Sequence, residues 1–394
     1  MKNIICPGFI AGGIASGIKK NGKHDLGLIY TIKEASVAGV FTKNKVKAAP
    51  VILDMQRIPS GICKAVVVNS GNANCCTGEK GFKDAVKMSH AAASMLDISD
   101  DMVLVSSTGV IGEPFPVEKI INAMPDLVKS SNVNGFYNFA KAIMTTDKVV
   151  KIVSKKETID NKTFTITGVA KGSGMIRPDM ATMLCFVCTD VKADSDMLKH
   201  SLLVANEKSF NVITVDGDTS TNDMVILMAN GESGASISNA SDKKKFQTVL
   251  DDVLLSLAKM VVKDGEGANK LVEVEVKNAV SDKQARQIAD TVANSNLVKT
   301  AIFGEDANWG RILAAAGRAE ALIEPYKTDI YFDNILMVKN GQGCGALAEE
   351  KVSRILKKTE YKIIIDLHMG QGSASYYTCD FSFEYVKINA DYRS

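Results

Sequence analysis

Two hydrophobic rhythms run through the chain, one of period two and one near the helical period. Short apolar or alternating runs predict strands at KAVVVNS (64–70), MVLVSS (102–107), TFTITGVA (163–170), Met183 to Val187, VITVD (212–216) and MVILMAN (224–230). Residues 27–41 read as two strands around a polar turn at Lys33-Glu34. In LVEVEVK (271–277) valines alternate with acidic residues, as in a half-exposed strand. Helical spacing marks the segment from Phe82 to Leu96, then 117–129, 134–146, 194–208 and 241–263. A composition shift at 278–284 (NAVSDKQ) predicts a boundary between a domain of 1–277 and one of 278–394. The latter holds a helix at 284–296, a hairpin around Asp333-Asn334, a helix at 346–357 and strands at 361–367 and 377–388. Several connections are too short for parallel crossovers, and the strands are too many for a helical bundle. A layered α+β fold follows.

Composition changes this picture little. With 394 residues, 23% charged, and a net charge of +2, the chain has the bulk for more than one core and no basic surface for nucleic acid. Eight cysteines are too few for a disulfide scaffold, and a reducing cytoplasm fits them. Pro7 and repeated glycines break the apolar N-terminus before it makes a signal core. No stretch reaches the apolar length of a membrane span.

The chemistry concentrates in KGSGMIRPDMATMLCFVCTD (171–190). Lys171 and a Gly172-Ser173-Gly174 turn lead through Pro178 to Met180-Ala181-Thr182, and an apolar strand follows. Glycines and a proline of this kind hold one peptide bond in a constrained pose at the lip of a strand. A cut between Ala181 and Thr182 would place a free α-amino group on the residue whose hydroxyl it must activate. Its ordinary pKa of roughly 7.7–8.0 makes it a usable base near neutrality. Thr182 is thus the candidate nucleophile. Thr108 and Gly109, where a strand ends in SSTGVIG, are candidate oxyanion donors, a backbone N–H approaching closely at glycine and the hydroxyl donating as well.

In order along the chain stand NSGNANCCTG, SSTGVIG, KGSGMIRPDMATML, VDGDTSTND, GEGANK, FGEDANWGRI and EYVKINADY. Together they resemble the ornithine acetyltransferase family, the bifunctional glutamate N-acetyltransferases of arginine biosynthesis. The family's segment runs K-G-S-G-M-I-x-P-x-M-A-T-M-L; Arg177 and Asp179 stand where His and Asn are usual, and Cys75-Cys76 is a small variation. The resemblance implies an αββα sandwich-like core of the self-cleaving N-terminal-nucleophile type with a smaller C-terminal α/β domain. It implies cleavage between Ala181 and Thr182, with fragments 1–181 and 182–394 staying associated and cleaved protomers pairing into a heterotetramer. Thr182 then carries acetyl from N-acetylornithine to glutamate, over an oxyanion hole of Thr108 and Gly109. Substrate contacts fall on Thr145, Lys171, Thr182, Glu266, Asn389 and Ser394, with Thr146 a neighbour of Thr145 that remains open. No metal or organic cofactor is implied. Acetyl-coenzyme A is a co-substrate of some members only.

Three features could be misread as sites of another kind. DGDTSTND (216–223) continues with Thr221 and Leu227 where a calcium loop requires Gly and Glu. GEGANK lacks the spacing of a phosphate loop, which weakens a nucleotide-dependent kinase. The four histidines share no metal-ligand spacing. Two alternatives stay open: an aminopeptidase or amidase of the same fold that gives its acyl group to water, and a non-catalytic amino-acid-binding homologue.

Overall fold

The structure, a computed structural model, describes residues 5–177 and 183–391. Ala181, Thr182 and Ser394 lie outside these residues. The chain divides into two compact units, one of residues up to Asn211 with Asp218–Val261, the other of Val212–Gly217 with the chain from Val262 onward.

The first unit contains β1 (Phe9–Ile14), β2 (Leu26–Phe41), α1 (Ala49–Arg57), β3 (Ile62–Asn72), α2 (Gly78–Leu96), β4 (Val103–Val110), α3 (Val117–Ser130) and α4 (Phe136–Ile143). It continues with β5 (Lys151–Ile159), β6 (Lys162–Lys171), β7 (Leu184–Thr189), α5 (Ser195–Glu207), β8 (Met224–Ala229) and α6 (Ala240–Lys263), within which the division falls. The strands form one sheet in the order β4-β3-β2-β8-β7-β6-β5, with β1 paired to β2. Because side chains alternate across a strand, β3 sends Ala65 and Val67 to one face and Val66 and Val68 to the other. The first pair packs with Met88 of α2 and Ile120 of α3; the second joins Phe139 of α4, Phe186 of β7 and Ile226 of β8. Phe139 and Phe186 meet edge to face at 5.5 Å. At Gly168 a Cβ would lie 2.7 Å from Leu257, so glycine is what admits α6 against β6.

Residues 27–41 fall within one 16-residue strand, β2, rather than two. The polar Lys33-Glu34 step is an irregularity in the β2–β3 register between Tyr30 and Ala35, not a turn, and pairing resumes beyond it. A bulge tolerates exposed polar residues without ending the strand.

The second unit contains β9 (Leu271–Ala279), α7 (Asp282–Ala293), α8 (Asn296–Phe303), α9 (Trp309–Ala316), β10 (Asp329–Phe332), β11 (Ile335–Lys339), β12 (Gln342–Gly343), α10 (Ala346–Leu356), β13 (Glu360–Asp366), β14 (Gly372–Cys379) and α11 (Phe383–Asp391). Its sheet runs β12-β11-β10-β13-β9-β14. In β9, Val272, Val274 and Val276 are buried, matching the alternation in the sequence. That strand corrects the boundary expected at 278: β9 lies between β13 and β14, so the second unit begins before it. The expected strand at 212–216 contributes only a bridge from Ile213 to Tyr377. The expected strand at 377–388 also ends early. β14 stops at Cys379, and the chain turns into α11.

The architecture is α+β, as its hydrophobic pattern predicts. Among the described residues no helix is long and apolar enough to cross a membrane.

Candidate active site

Thr108 and Gly109 stand near the end of β4, beside Ser70 and Gly71 of the parallel β3. Gly109 has φ +134°, and a Cβ on it would fall 2.4 Å from the carbonyl carbon of Gly71. Only glycine fits this approach. From the stretch before β8, Asn222 clamps the same corner. Its buried amide donates to Ala73 O at 2.7 Å and to Ser107 O at 2.8 Å, one residue short of Thr108.

Lys171 ends β6 and pairs in register with Leu184, the first residue of β7. Its Nζ donates to Thr108 Oγ1 at 3.0 Å. Both residues are only 9% exposed, so this polar contact is made largely out of water. The backbone following α4 is organised by the buried Asp147. Its Oδ1 accepts from Lys151 Nζ at 2.7 Å and from the Gly172 N–H at 2.8 Å, while Oδ2 accepts from the Thr145 N–H at 3.0 Å. Burial alone would raise the Asp147 pKa, but Lys151, Lys171 and the hydrogen bonds outweigh it and hold the carboxyl at about 2. One carboxylate thereby ties Thr145 to the glycine turn after Lys171. Thr146 Oγ1 is engaged 2.7 Å from Ser173 Oγ of that turn.

A second cation stands close by. Lys19 Nζ donates to His24 O at 2.9 Å and to Met144 O at 2.6 Å. Its pKa is lowered to about 8, chiefly by burial and in part by Lys171, with Asp25 and Asp147 acting in the opposite direction. Asp223, just before β8, is also buried, and burial pushes its carboxyl well up against the pull of Ser220 and Lys171.

Within the second unit, Glu266 follows α6 in the turn that includes Gly267 and is 7% exposed. Asn389 of α11 donates from Nδ2 to Glu266 Oε2 at 2.8 Å and to Tyr385 O at 3.0 Å, one helical turn back. The helix, not an extended strand, carries this asparagine. Ser382 Oγ braces the turn by donating to Gly267 O at 2.7 Å.

The sequence candidates thus fall into two described groups, Thr108, Gly109, Lys171 and Thr145 in one unit, Glu266 and Asn389 in the other. Ala181, Thr182 and Ser394 lie outside the described residues. Sequence reasoning passed over Asp147, Asn222 and Lys19. For Asp147 the only signal was an acidic residue directly after Thr145-Thr146. Asn222 was hidden inside a motif read only as a failed calcium loop.

A strand-end threonine and glycine, with a buried lysine donating to the threonine, make the kind of corner that acyl transfer requires of oxyanion donors. The chain belongs to the ArgJ family, whose model matches residues 10–394. The arginine biosynthesis bifunctional protein ArgJ of Syntrophotalea carbinolica is 50% identical over 389 residues, 98% of this chain and 99% of its own. That of Geobacter sulfurreducens is likewise 50% identical over 389 residues, with the same coverage. The crystal structure of arginine biosynthesis bifunctional protein argJ from Bacillus halodurans is 40% identical, with a TM-score of 0.51, covering 52% of this chain and 98% of that one.

Proposed function

We propose that this chain transfers acetyl from N-acetylornithine to glutamate through an acetyl-Thr182 intermediate, as an enzyme of arginine biosynthesis. One observation carries the reading: Lys171 is both the hydrogen-bond donor to Thr108 Oγ1 and the register partner of Leu184, two residues beyond Thr182. The proposed oxyanion donors and the strand that follows the nucleophile are therefore linked through a single residue, by its side chain on one side and its backbone on the other. Family membership over nearly the whole chain supports the same substrates.

The first step activates the enzyme. Thr182 Oγ attacks the Ala181 carbonyl, the acyl group moves from nitrogen to oxygen, and water releases the 1–181 piece, leaving an α-amino group on Thr182. The solved Bacillus halodurans chain is about half as long as this one, the size of one such piece. In turnover that amine takes the Thr182 hydroxyl proton as Oγ attacks the acetyl carbonyl of N-acetylornithine. Thr108 Oγ1–H and the Gly109 N–H hold the tetrahedral oxyanion. The amine returns the proton to ornithine as it leaves. Glutamate's neutral amine then attacks acetyl-Thr182, gives up a proton along the same route, and departs as N-acetylglutamate.

Thr145, Lys171, Glu266, Asn389 and Ser394 are the proposed substrate contacts. Thr145 is preferred to Thr146, whose hydroxyl is occupied by Ser173. No metal or resident organic cofactor enters this scheme, and acetyl-coenzyme A is a second donor to be tested against glutamate. The cysteines are free, in keeping with a reducing cytoplasm. We further propose that the cleaved pieces pair into a dimer of protomers.

Intact-mass measurement with N-terminal sequencing tests the reading: two fragments are expected, one starting at Thr182, with Thr182→Ala uncut and inactive. Acetyl transfer by Thr182→Ala at the wild-type rate would overturn it. An acyl product appearing only with water, unaffected by glutamate, would favour the hydrolase.

A further inference from the structure

Adjacent cysteines in a regular strand point to opposite faces. Cys75 and Cys76 do not, because Asn74 at φ +46° and Cys76 at φ +57° coil the loop in the left-handed sense. Their Sγ atoms lie 3.8 Å apart. Cys75 is 1% exposed, its thiol pushed up by burial, with a Thr221 hydrogen bond pulling the other way. Cys76 is exposed. One sulfur is therefore open to reagents in solution, and the second waits behind it.

This loop is also the wall behind the oxyanion donors. Ala73 N–H donates to Val110 O at 2.9 Å, and Gly112 N–H donates to Cys75 O at 3.0 Å, lacing the loop to the end of β4. Gly71 and Asn72 press against Gly109 so closely that no Cβ fits between them.

The geometry points to Cys75-Cys76 as a reactive vicinal dithiol, closed by low-molecular-weight disulfides and opened by thiols, whose closure shifts the loop behind Thr108 and Gly109. The Cys76 thiolate attacks one sulfur of the small disulfide, forming a mixed disulfide and releasing one thiolate. Cys75 sulfur then attacks Cys76 Sγ, giving up its proton, and the second small thiolate leaves. Two protein S–H bonds become one S–S bond, and the small disulfide is reduced to two thiols. A disulfide needs the sulfurs about 2 Å apart, so closure draws the loop in from the observed separation. The effect on turnover, but not the closure itself, rests on the acetyl-transfer reading above.

The test uses full-length protein carrying Cys344→Ser, which removes the other exposed thiol. After treatment with oxidised glutathione, peptide mass mapping is expected to show the Cys75–Cys76 peptide short by two hydrogen atoms. With Cys75→Ala added, Cys76 should instead retain glutathione. Hydrogen exchange at residues 108–112 should quicken on closure and slow again with dithiothreitol. Acetyl transfer should fall on the order of tenfold, less than the loss of a whole oxyanion donor, and recover on reduction. A persistent glutathione adduct when both thiols are present would overturn the dithiol. Closure with unchanged exchange at 108–112 would overturn its coupling to the site. Protein that never transfers acetyl, yet passes both measurements, would count against the proposed function alone.

Discussion

Lys171 Nζ donates to Thr108 Oγ1 at 3.0 Å in a largely dry environment. A hydroxyl that accepts from a cation still has its own hydrogen to give, and the cation makes that hydrogen a better donor. Thr108→Val should lower kcat on the order of 100–1000-fold, the usual cost of an oxyanion donor. Lys171→Met should also lower kcat, and the double variant should lose less than the sum of the two. Steady-state kinetics on all four proteins checks this. Strictly additive losses would mean that the lysine serves the substrate without acting through the threonine.

Asp147 and Lys151 have side chains with no exposure at all. Asp147→Asn strands a buried ammonium opposite a neutral amide and should cost roughly 3–5 kcal/mol, read from the denaturant midpoint. The same carboxylate predicts a pH dependence. Its pKa of about 2 lies below the ordinary value near 4, so its stabilisation is complete above the ordinary value and is lost as pH falls through 2. Acid unfolding of Asp147→Asn should lack that component.

Asn222→Ala removes the donor that satisfies Ala73 O and Ser107 O. Each carbonyl left buried and unpaired costs about 1–3 kcal/mol, so the melting temperature should drop. The corner holding Thr108 loosens too, so kcat should fall while KM changes little. Unaltered kcat in a clearly destabilised protein would show that Thr108 is positioned without this clamp.

The Glu266 carboxylate and Asn389 amide are 2.8 Å apart. If Glu266 receives a substrate ammonium, Glu266→Gln should raise KM for the amino substrates at least tenfold, a charged hydrogen bond being worth about 1.5–3 kcal/mol. Asn389→Ala should raise it less and leave the melting temperature nearly unchanged, since that residue is exposed. Equal KM values in all three proteins would remove the pair from substrate binding.

Much of the fold was legible because burial writes a period into the sequence. LVEVEVK is the example: its valines are all inside, and β9 forms over the expected residues. The misreadings share a cause, since local pattern does not reveal hydrogen-bond partners. Lys33-Glu34 looked like a turn because nothing local signals that β3 and β8 hold β2 on either side of it. FEYVKINAD alternates just well enough to pass for a strand, yet it forms a helix that brings Asn389 to Glu266. At the site, Thr108, Gly109 and Lys171 carried motif signals. Asp147 and Asn222 act on backbone groups far along the chain, and such partners leave no trace in spacing.

The strand order of the first sheet has a consequence for the molecularity of folding. Strands β7 and β8, which follow the proposed cut, lie between β2 and β6, which precede it. Opening the 181–182 bond therefore leaves two polypeptides interleaved in one sheet, with no seam along which they can part. The uncut chain folds in a first-order process. The cut enzyme, once unfolded, must find its other piece again by diffusion, so its recovery depends on concentration. The proposed cut thus turns a self-sufficient chain into an obligate pair, and the strand order requires folding to come before it.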